Sequence, residues 1–203
     1  MSDLPILLLA AGSSSRMRGR DKLMERIDGV PLVARQAAIA RQATRGPVIV
    51  ALPAPPHPRH AALAGLDVTA LTVAEAAEGM GASIRTGVAA LPADSPAVMV
   101  LLADLPELTA DDLRTVLAEV VRTPGNKVWR GTTQDGAPGH PIVFAAPLFP
   151  DLAALAGDEG GRSVVAAAGK DVCLVPLPGQ RARADLDTPE AWAAWRAERG
   201  DTG

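Results

Sequence analysis

Aromatic residues are scarce in this chain of 203 residues, which has three tryptophans, two phenylalanines and no tyrosine. Proteins that bind single-stranded nucleic acid stack bases on aromatic rings, so the composition argues against that class. The formal net charge of −3 gives no support for a nucleic-acid surface either. With 48% apolar residues, the chain must build its core mainly from Ala, Val and Leu, as helices packed on a parallel sheet do. Its length is sufficient to bury such a core in one domain.

Cysteine is almost absent too, since Cys173 is the only one. The chain therefore forms no intramolecular disulfide and no structural zinc site of the usual kind. Cys173 lies in a predicted strand, which favours buried packing over a role as nucleophile. The sequence also lacks a basic segment at its start and an apolar run of bilayer length. We therefore expect a cytoplasmic protein that does not enter a membrane.

Apolar runs alternate with helix-forming segments through most of the chain. The runs at 4–10, Val48–Leu52 and 97–103 are continuous enough for strands buried on both faces of a parallel sheet. A helix is predicted over Leu32–Ala43 after Pro31, and another follows the cap Thr109. This rhythm predicts an α/β fold with a single doubly wound, mostly parallel sheet and helices on both faces, as in Rossmann-like proteins. We assign residues 1–199 to one domain and expect residues 200–203 to be a frayed tail.

The last third of the chain is less regular. Strands are predicted at 127–131 and 142–145, on either side of a glycine- and proline-rich loop at 132–141. The remaining predicted elements are strands at 67–71 and 172–176 and helices at 147–156, 162–168 and 189–199.

A loop rich in serine and basic residues follows the first predicted strand. It contains three serines after Gly12 and a single acid, and its cations are Arg16, Arg18, Arg20 and Lys22. Such a loop offers unpaired backbone N–H groups, hydroxyls and cations to one small volume, which suits a triphosphate. Its place at the carboxyl end of a strand is where open α/β sheets bind ligands.

Two common phosphate-binding loops do not fit this stretch. A Walker A loop needs four residues between its glycines, but six separate Gly12 from Gly19, and Leu23 rather than Ser or Thr follows Lys22. A dinucleotide fingerprint needs a glycine where Ser14 stands. The remaining pattern, Leu-Ala-Ala-Gly-x-Ser-x-Arg-Met followed by Lys, resembles the signature of nucleotidyltransferases that activate a phosphate or sugar with an NTP. The alternative is a solvated basic loop.

Two acidic positions are candidates for holding a divalent metal. Asp104 ends a buried strand, so its carboxylate projects into the crevice over the strand ends. Mg²⁺ prefers few carboxylates together with phosphates and waters. Asp185 and Asp187 alternate on an extended segment and so face one side, where Asp187 could join Asp104 in holding metal against a triphosphate. Helix capping is the alternative for both positions, and it is weaker at Asp104 because Thr109 caps the next helix better.

Three further positions are candidates for contact with a substrate. The turn that contains Gly79 and Gly81 would let the backbone approach a flat ligand, and Ser83 could give it a specific hydrogen bond. A structural loop with a helix cap at Ser83 is the alternative. His140 could contact a substrate phosphate or be a fixed structural histidine. Arg162, at a predicted helix start, is a second candidate anion site.

In their order along the chain these motifs resemble the molybdenum cofactor nucleotidyltransferases, and within that family the cytidylyltransferase branch. The resemblance covers nearly the full length, and no single motif is decisive, but the order is specific. The motifs are Leu9-Ala-Ala-Gly-x-Ser-x-Arg-Met with Lys22, Gly79-Met-Gly-Ala-Ser, Ala103-Asp-Leu-Pro, Gly139-His-Pro, Gly157-Asp-Glu-Gly-Gly-Arg and Asp185-Leu-Asp-Thr-Pro.

The resemblance implies an Mg²⁺-dependent enzyme that moves CMP from CTP to the terminal phosphate of the molybdenum cofactor and releases pyrophosphate. Its catalytic residues would be Arg16, Lys22 and Asp104, and Mg²⁺ would be held by Asp104 and Asp187. Nucleotide-binding residues would be Leu9, Ala10, Ala11, Gly12, Ser14, Gly79, Met80, Gly81 and Ser83. The phosphorylated pterin acceptor would contact His140 and Arg162. A molybdoenzyme or its chaperone is a further candidate partner, whereas nucleic acid and membranes are not expected.

One feature departs from the family pattern. A glycine usually follows Arg-Met directly, but here Arg18 intervenes, which predicts a longer and more basic loop. The acceptor is therefore left open, and the same fold acting on GTP or on another phosphate or sugar-phosphate acceptor is one alternative. A non-catalytic protein that binds and delivers a cofactor is the other, although storage alone would not need two carboxylates placed for a metal.

Overall fold

A seven-stranded sheet organises residues 2–200, the part of the chain that the computed structural model describes. Its strands are β1 (Ile6–Leu9), β4 (Val48–Leu52), β5 (Thr69–Thr72), β6 (Ala97–Leu102), β7 (Val128–Thr132), β8 (Pro138–Ala145) and β9 (Val172–Pro176). Strands β2 (Arg26–Ile27) and β3 (Val30–Pro31) form a separate small hairpin. The helices are α1 (Leu32–Ala43), α2 (Pro58–Ala62), α3 (Met80–Ala89), α4 (Ala110–Arg122), α5 (Phe149–Ala153), α6 (Arg162–Ala168) and α7 (Pro189–Arg199).

The sheet has the strand order β5-β4-β1-β6-β8-β7-β9. Strand β1 pairs in parallel with β4 on one side and β6 on the other. Only β8 runs against its neighbours β6 and β7. The prediction of a doubly wound, mostly parallel sheet is confirmed. Because β1 and β6 are parallel neighbours, the loop after β1 and the residues after β6 lie at the same edge of the sheet.

Helices cover both faces of the sheet, as predicted. On one face, α1, α4 and α7 pack on alternate residues of the strands, with Leu8 and Met99 from the sheet and Trp192 from α7 in a common core. On the other face, α3, α5 and α6 cover a second core that contains Leu7 and Phe144. Both cores consist mainly of aliphatic side chains, in agreement with the scarcity of aromatic residues.

Helix boundaries follow capping signals in the sequence. Helix α4 begins with a capping box, in which the Thr109 hydroxyl accepts from the Asp112 backbone N–H and the Asp112 carboxylate accepts from the Thr109 backbone N–H. The Thr188 hydroxyl accepts from the backbone N–H of Ala191 at the start of α7. Helices α1, α6 and α7 also have the bounds that the sequence predicts.

Some predicted bounds are wrong. Strand β8 begins at Pro138, so the predicted loop over 132–141 is confined to a turn at 133–137, which a hydrogen bond from Thr133 N to Ala137 O closes at 2.9 Å. Gly139, His140 and Pro141 therefore belong to a strand. The helix predicted over 147–156 is shorter, because a 3₁₀ turn precedes α5 and α5 ends at Ala153.

The division into a domain at 1–199 and a tail stays a prediction. Of the predicted tail, only Gly200 is among the described residues, and it ends α7 with a φ of 66°, a conformation that favours glycine. None of the helices in residues 2–200 combines the length and the apolar character needed to span a membrane.

Candidate active site

The loop after β1 is a short, tightly folded segment. A 3₁₀ turn at Ser15–Met17 is flanked by two residues in the left-handed region, Ser14 with φ 54° and Arg18 with φ 52°. The Met17 side chain is fully buried and anchors the turn to the core. Non-glycine residues in this conformation cost about 1–3 kcal/mol each, so the surrounding contacts must hold the loop in place.

Arg59, in α2, supplies many of those contacts. Its side chain is 1% exposed, and it donates hydrogen bonds to the carbonyl oxygens of Ala10 and Gly12 at 2.7 and 2.8 Å. It also forms a two-point ion pair with Asp21, whose carboxylate lies 2.8 Å from Nε and 2.6 Å from Nη2. Sequence reasoning missed this residue, because it lies in a proline-rich segment that resembles a surface loop.

Asp104 and Asp187 meet at the end of β6. A backbone hydrogen bond of 3.1 Å from Leu186 N to Asp104 O brings the segment before α7 alongside the residues that follow β6. The Lys22 ammonium then lies between the two side chains, 2.5 Å from one oxygen of each carboxylate. Residues predicted from three distant segments of the sequence are thus in direct contact.

Electrostatics at this contact favour the charged forms of Lys22 and Asp187. Burial alone would lower the pKa of Lys22, but Asp104 and Asp187 outweigh it and raise the pKa above its ordinary value. Burial would raise the pKa of Asp187, but hydrogen bonds from Lys22 and Asp185 and the charges of Lys22 and Arg16 lower it. The neighbouring Asp185 has a raised pKa through burial and its hydrogen bond to Asp187, as expected for two carboxyls on one side of an extended segment.

The arginines of the loop differ in where they point. Arg16 lies 2.6 Å from the second oxygen of Asp187 and lines the cavity described below. Arg18 instead pairs with Glu190 of α7 at 2.6 Å, with its side chain 74% exposed, and does not line that cavity. Glu190 thus holds Arg18 at the rim, and the expectation that Arg18 makes the phosphate loop more basic stays a prediction.

A cavity of about 340 Å³ lies over this edge of the sheet, a volume in the range of small-molecule sites. Eleven of the residues predicted from the sequence line it: Leu9, Ala11, Gly12, Ser14, Arg16, Lys22, Gly79, Met80, Ser83, Asp104 and Asp187. Four do not. Ala10 is buried behind the loop, Gly81 packs inside α3, and His140 and Arg162 lie beyond the cavity on β8 and α6.

The glycine turn before α3 packs against another loop. A Cβ on Gly79, which has φ 126°, would lie 2.4 Å from the Asp158 carboxylate and 2.6 Å from the Gly157 backbone. The Gly81 N–H donates to the Gly157 carbonyl at 2.9 Å. Both glycines thus allow the loop at 154–161 to pack close to the start of α3, and Asp158, which belongs to a quoted motif but had no assigned role, also lines the cavity.

Ser83 is not a helix cap, because α3 begins three residues earlier at Met80. Its side chain lines the cavity and, within residues 2–200, has no hydrogen-bond partner. The hydroxyl is therefore free to bond a ligand.

A second group of cations lies around His140, outside the set of residues that line the cavity. Burial, followed by the charge of Arg130, lowers the pKa of His140 to about 4, so its imidazole is neutral at pH 7. Burial and the charges of Arg162 and Arg183 in turn lower the pKa of Arg130. Among residues 2–200, no carboxylate lies within 4.0 Å of Arg130, Arg162 or Arg183. We call these three arginines and His140 the β8 cluster.

Arg130 and Arg183 in the β8 cluster were missed by sequence reasoning. Arg130 lies in the apolar strand β7 and donates to the Gly139 carbonyl at 3.0 Å. Arg183 follows Ala182, whose carbonyl accepts from His140 N at 2.9 Å. A single cation inside an apolar strand is a signal that could have identified Arg130.

The acidic side chains suit a metal that takes few protein ligands. Asp104 Oδ1 is buried and has no hydrogen-bond partner, which is costly for a carboxylate oxygen unless a ligand satisfies it. Among the described residues, no three His, Cys, Asp or Glu side chains are grouped so that they could hold a metal by themselves. Asp104 and Asp187 would therefore share a metal with phosphate oxygens and water, as Mg²⁺ commonly requires.

A model of the MobA-like NTP transferase domain matches residues 6–172 of the chain. Among curated proteins, the bifunctional protein GlmU of Geobacter metallireducens is 29% identical over 118 residues, which is 58% of this chain and 25% of GlmU. The purine catabolism protein PucB of Bacillus subtilis is 28% identical over 120 residues, 58% of this chain and 56% of PucB. The matched region thus spans a quarter to about half of these relatives.

Solved structures with the same fold include Rv0371c from Mycobacterium tuberculosis H37Rv, with a TM-score of 0.82, 25% identity and coverage of 95% of this chain and 96% of that one. A complex of Rv0371c with manganese has a TM-score of 0.77 at 22% identity, over 95% and 97% of the two chains. CMP:2-keto-3-deoxy-manno-octonic acid synthetase in complex with CTP has a TM-score of 0.74 at 14% identity, over 97% and 98%. The last two likenesses concern the fold alone.

Proposed function

The chain belongs to the MobA-like NTP transferase family, and from this premise we propose that it is a nucleotidyltransferase that transfers CMP from CTP to the molybdenum cofactor. The acceptor would be the terminal phosphate of the molybdopterin. The observation that carries the proposal is the contact of Lys22 with Asp104 and Asp187, at 2.5 Å each, in a cavity lined by the loop after β1.

In the proposed reaction, an oxygen of the acceptor phosphate attacks the α-phosphorus of CTP in line with the leaving group. A new P–O bond forms, the bond from the α-phosphorus to the bridging oxygen breaks, and pyrophosphate leaves with that electron pair. Such transfers depend on positioning and charge stabilisation more than on covalent chemistry by the protein. Lys22 and Arg16 would stabilise the negative charge that develops on the phosphates.

Asp104 and Asp187 would hold Mg²⁺, and the unpartnered Oδ1 of Asp104 supports this assignment. When bound, the ion would neutralise phosphate charge and orient the triphosphate. Lys22 now occupies the space between the two carboxylates, so the ammonium would move toward the phosphates when a metal–nucleotide complex enters. The manganese complex of Rv0371c is consistent with a divalent metal in this fold.

The base would lie against the glycine turn and the start of α3. The backbone at Gly79 and Met80 would border it, and the Ser83 hydroxyl would bond its polar edge. The Gly-Met-Gly-Ala-Ser sequence resembles the branch of the family that selects cytosine, and the synthetase with bound CTP has the same fold.

The β8 cluster would bind the acceptor. Its three arginines have no carboxylate partner within 4.0 Å in the described part of the chain, so their field favours a dianionic phosphate. The neutral imidazole of His140 would offer a hydrogen bond. The charge of Asp104 acts on His140, which is consistent with an acceptor site on the side of the proposed metal.

The proposal is tested by assaying pyrophosphate release from each of the four common NTPs with Mg²⁺ and molybdenum cofactor. We expect CTP to be the best substrate and release to depend on the cofactor. Faster release from GTP would favour the guanylyl alternative, and CTP turnover with a sugar phosphate but not with the cofactor would refute the proposed acceptor.

A further inference from the structure

The buried guanidinium of Arg59 is fully occupied by the protein itself. An arginine has five N–H donors, and here all of them have acceptors: two carbonyl oxygens, both oxygens of Asp21 and the Ser14 hydroxyl at 3.1 Å. With 1% exposure and no donor left over, Arg59 does not bind a substrate. Its role must be exerted through the groups that it contacts.

Every acceptor of Arg59 belongs to the segment 10–21, although Arg59 itself comes from α2, which follows β4 in the sequence. The segment includes Ser14 and Arg18, which both have the unfavourable left-handed conformation. A single rigid group that bonds Ala10, Gly12 and Ser14 fixes the curvature of the loop from outside it. Removal of that group would leave the strained conformation with few restraints.

A chain of hydrogen bonds connects Arg59 to Lys22. Ser14 Oγ donates to Asp21 Oδ1 at 3.2 Å and accepts from the Lys22 backbone N–H at 3.2 Å. Asp21 Oδ1 also accepts from the backbone N–H of Leu23 at 3.0 Å. The residues on both sides of Lys22 are thus fixed by the partners of Arg59, which sets the point from which the ammonium reaches Asp104 and Asp187.

The Asp21 carboxylate remains ionised in this setting. Burial would raise its pKa, but the hydrogen bonds and charge of Arg59 outweigh burial and lower it. The ion pair is therefore a permanent part of the loop, and only one of its members is deeply buried. A lysine at position 59 would keep the charge but could not span five acceptors in a planar fork.

We propose that Arg59 is a positioning residue of the active site, which holds the phosphate-binding loop and Lys22 in the geometry needed for nucleotide binding and transfer through Asp21, Ser14 and the carbonyls of Ala10 and Gly12. The proposal rests on the nucleotidyl transfer assigned to this site, but not on the identity of the base or the acceptor.

The test compares Arg59→Lys with wild-type protein and with Arg122→Lys, a matched control at an exposed ion pair on α4. Dissociation constants for CTP and GTP with Mg²⁺ are measured by calorimetry, kcat and KM by pyrophosphate release, and Tm by thermal unfolding. We expect Arg59→Lys to bind the preferred nucleotide at least tenfold more weakly and to lose at least tenfold in kcat. The KM for the acceptor should change less than twofold, and the control should match wild type.

A merely structural role would lower Tm and leave kcat and the dissociation constant of the folded fraction unchanged, which would overturn the proposal. If Arg59→Lys does not fold, Asp21→Asn gives the same test, because it weakens the ion pair while keeping the side-chain shape. Failure of both variants to fold would also overturn it, since the pair would then stabilise the fold as a whole. Wild-type protein that binds neither nucleotide would instead refute the function proposed above.

Discussion

Each of the four cations in the loop after β1 faces a carboxylate, whereas the arginines of the β8 cluster face none within 4.0 Å among the described residues. In the loop, every cation has a carboxylate partner, and the pair at Lys22 is the most buried of them. In the β8 cluster, burial and the charges of Arg162 and Arg183 lower the pKa of Arg130, and burial and the charge of Arg130 lower that of His140. Under the proposed function, the first arrangement would supply geometry for a ligand that brings its own cation, and the second would supply charge for a ligand that does not.

The largest effect is expected when Lys22, the central cation of the loop after β1, is removed. Lys22→Ala should reduce kcat/KM about 10²–10³-fold, roughly 3–4 kcal/mol, by analogy with the loss of a preorganised donor to transition-state charge. Steady-state pyrophosphate release measures this. Arg20→Ala is the matched control, because Arg20 belongs to the same loop but pairs with Glu25 outside the main cavity. Wild-type turnover by Lys22→Ala would show that the ammonium does not act in catalysis.

The β8 cluster is tested by Arg130→Met, which removes one cation but keeps an unbranched side chain. We expect the KM for the acceptor to rise about tenfold, or about 1.4 kcal/mol, since hydrogen bonds to charged groups typically contribute that much. The KM for CTP should stay within twofold. Steady-state kinetics with each substrate varied in turn measure the two KM values separately. A rise in the KM for CTP alone would indicate that the β8 cluster binds the nucleotide instead of the acceptor.

A pH experiment sharpens the comparison, because protonated His140 would add a fourth unpaired cation to the β8 cluster. Its folded-state pKa of about 4 lies below the ordinary 6.5, so the unfolded chain takes up the proton first as pH falls. Wild-type stability should therefore decrease between pH 6.5 and 4, whereas His140→Gln should lose about 1–2 kcal/mol less on going from pH 7 to pH 5. Urea unfolding at both pH values measures this. Parallel losses in the two proteins would contradict the lowered pKa.

The smallest effect is expected at the exposed ion pair between Arg18 and Glu190. Arg18 and Glu190 are exposed, and such pairs contribute about 0–1 kcal/mol to stability. Arg18→Met should leave kcat and both KM values within twofold and lower the free energy of unfolding by no more than about 1 kcal/mol. A large rise in the KM for CTP would instead return Arg18 to the phosphate-binding loop.

Local signals in the sequence predicted much of the fold. Caps such as Thr109 and Thr188 act within one helical turn, so α4 and α7 begin where the sequence predicts. Strand β8 was partly missed because its glycine and prolines suggested a loop, and only pairing with β6 and β7 makes the segment a strand. Composition does not reveal such pairing.

The candidate site also contains residues that local sequence motifs reveal and one that they do not. Lys22, Asp104 and Asp187 could be found because each belongs to a short motif. Arg59 could not be found, because its partners lie 38 to 49 positions earlier in the sequence and it does not belong to a short motif of its own. Its burial depends on the path of the chain after β4, which becomes known only from the folded structure.

Asp187 reaches the active site from the segment before α7, while Lys22 comes from near the opposite end of the sequence. A ribosome therefore releases the loop long before the carboxylate that pairs with it has been synthesised. A chain that has not been synthesised as far as residue 187 therefore has an incomplete pocket. Under the proposed function, we expect an immobilised CTP resin to retain chains that extend through residue 203 and to let chains stalled before residue 187 pass through.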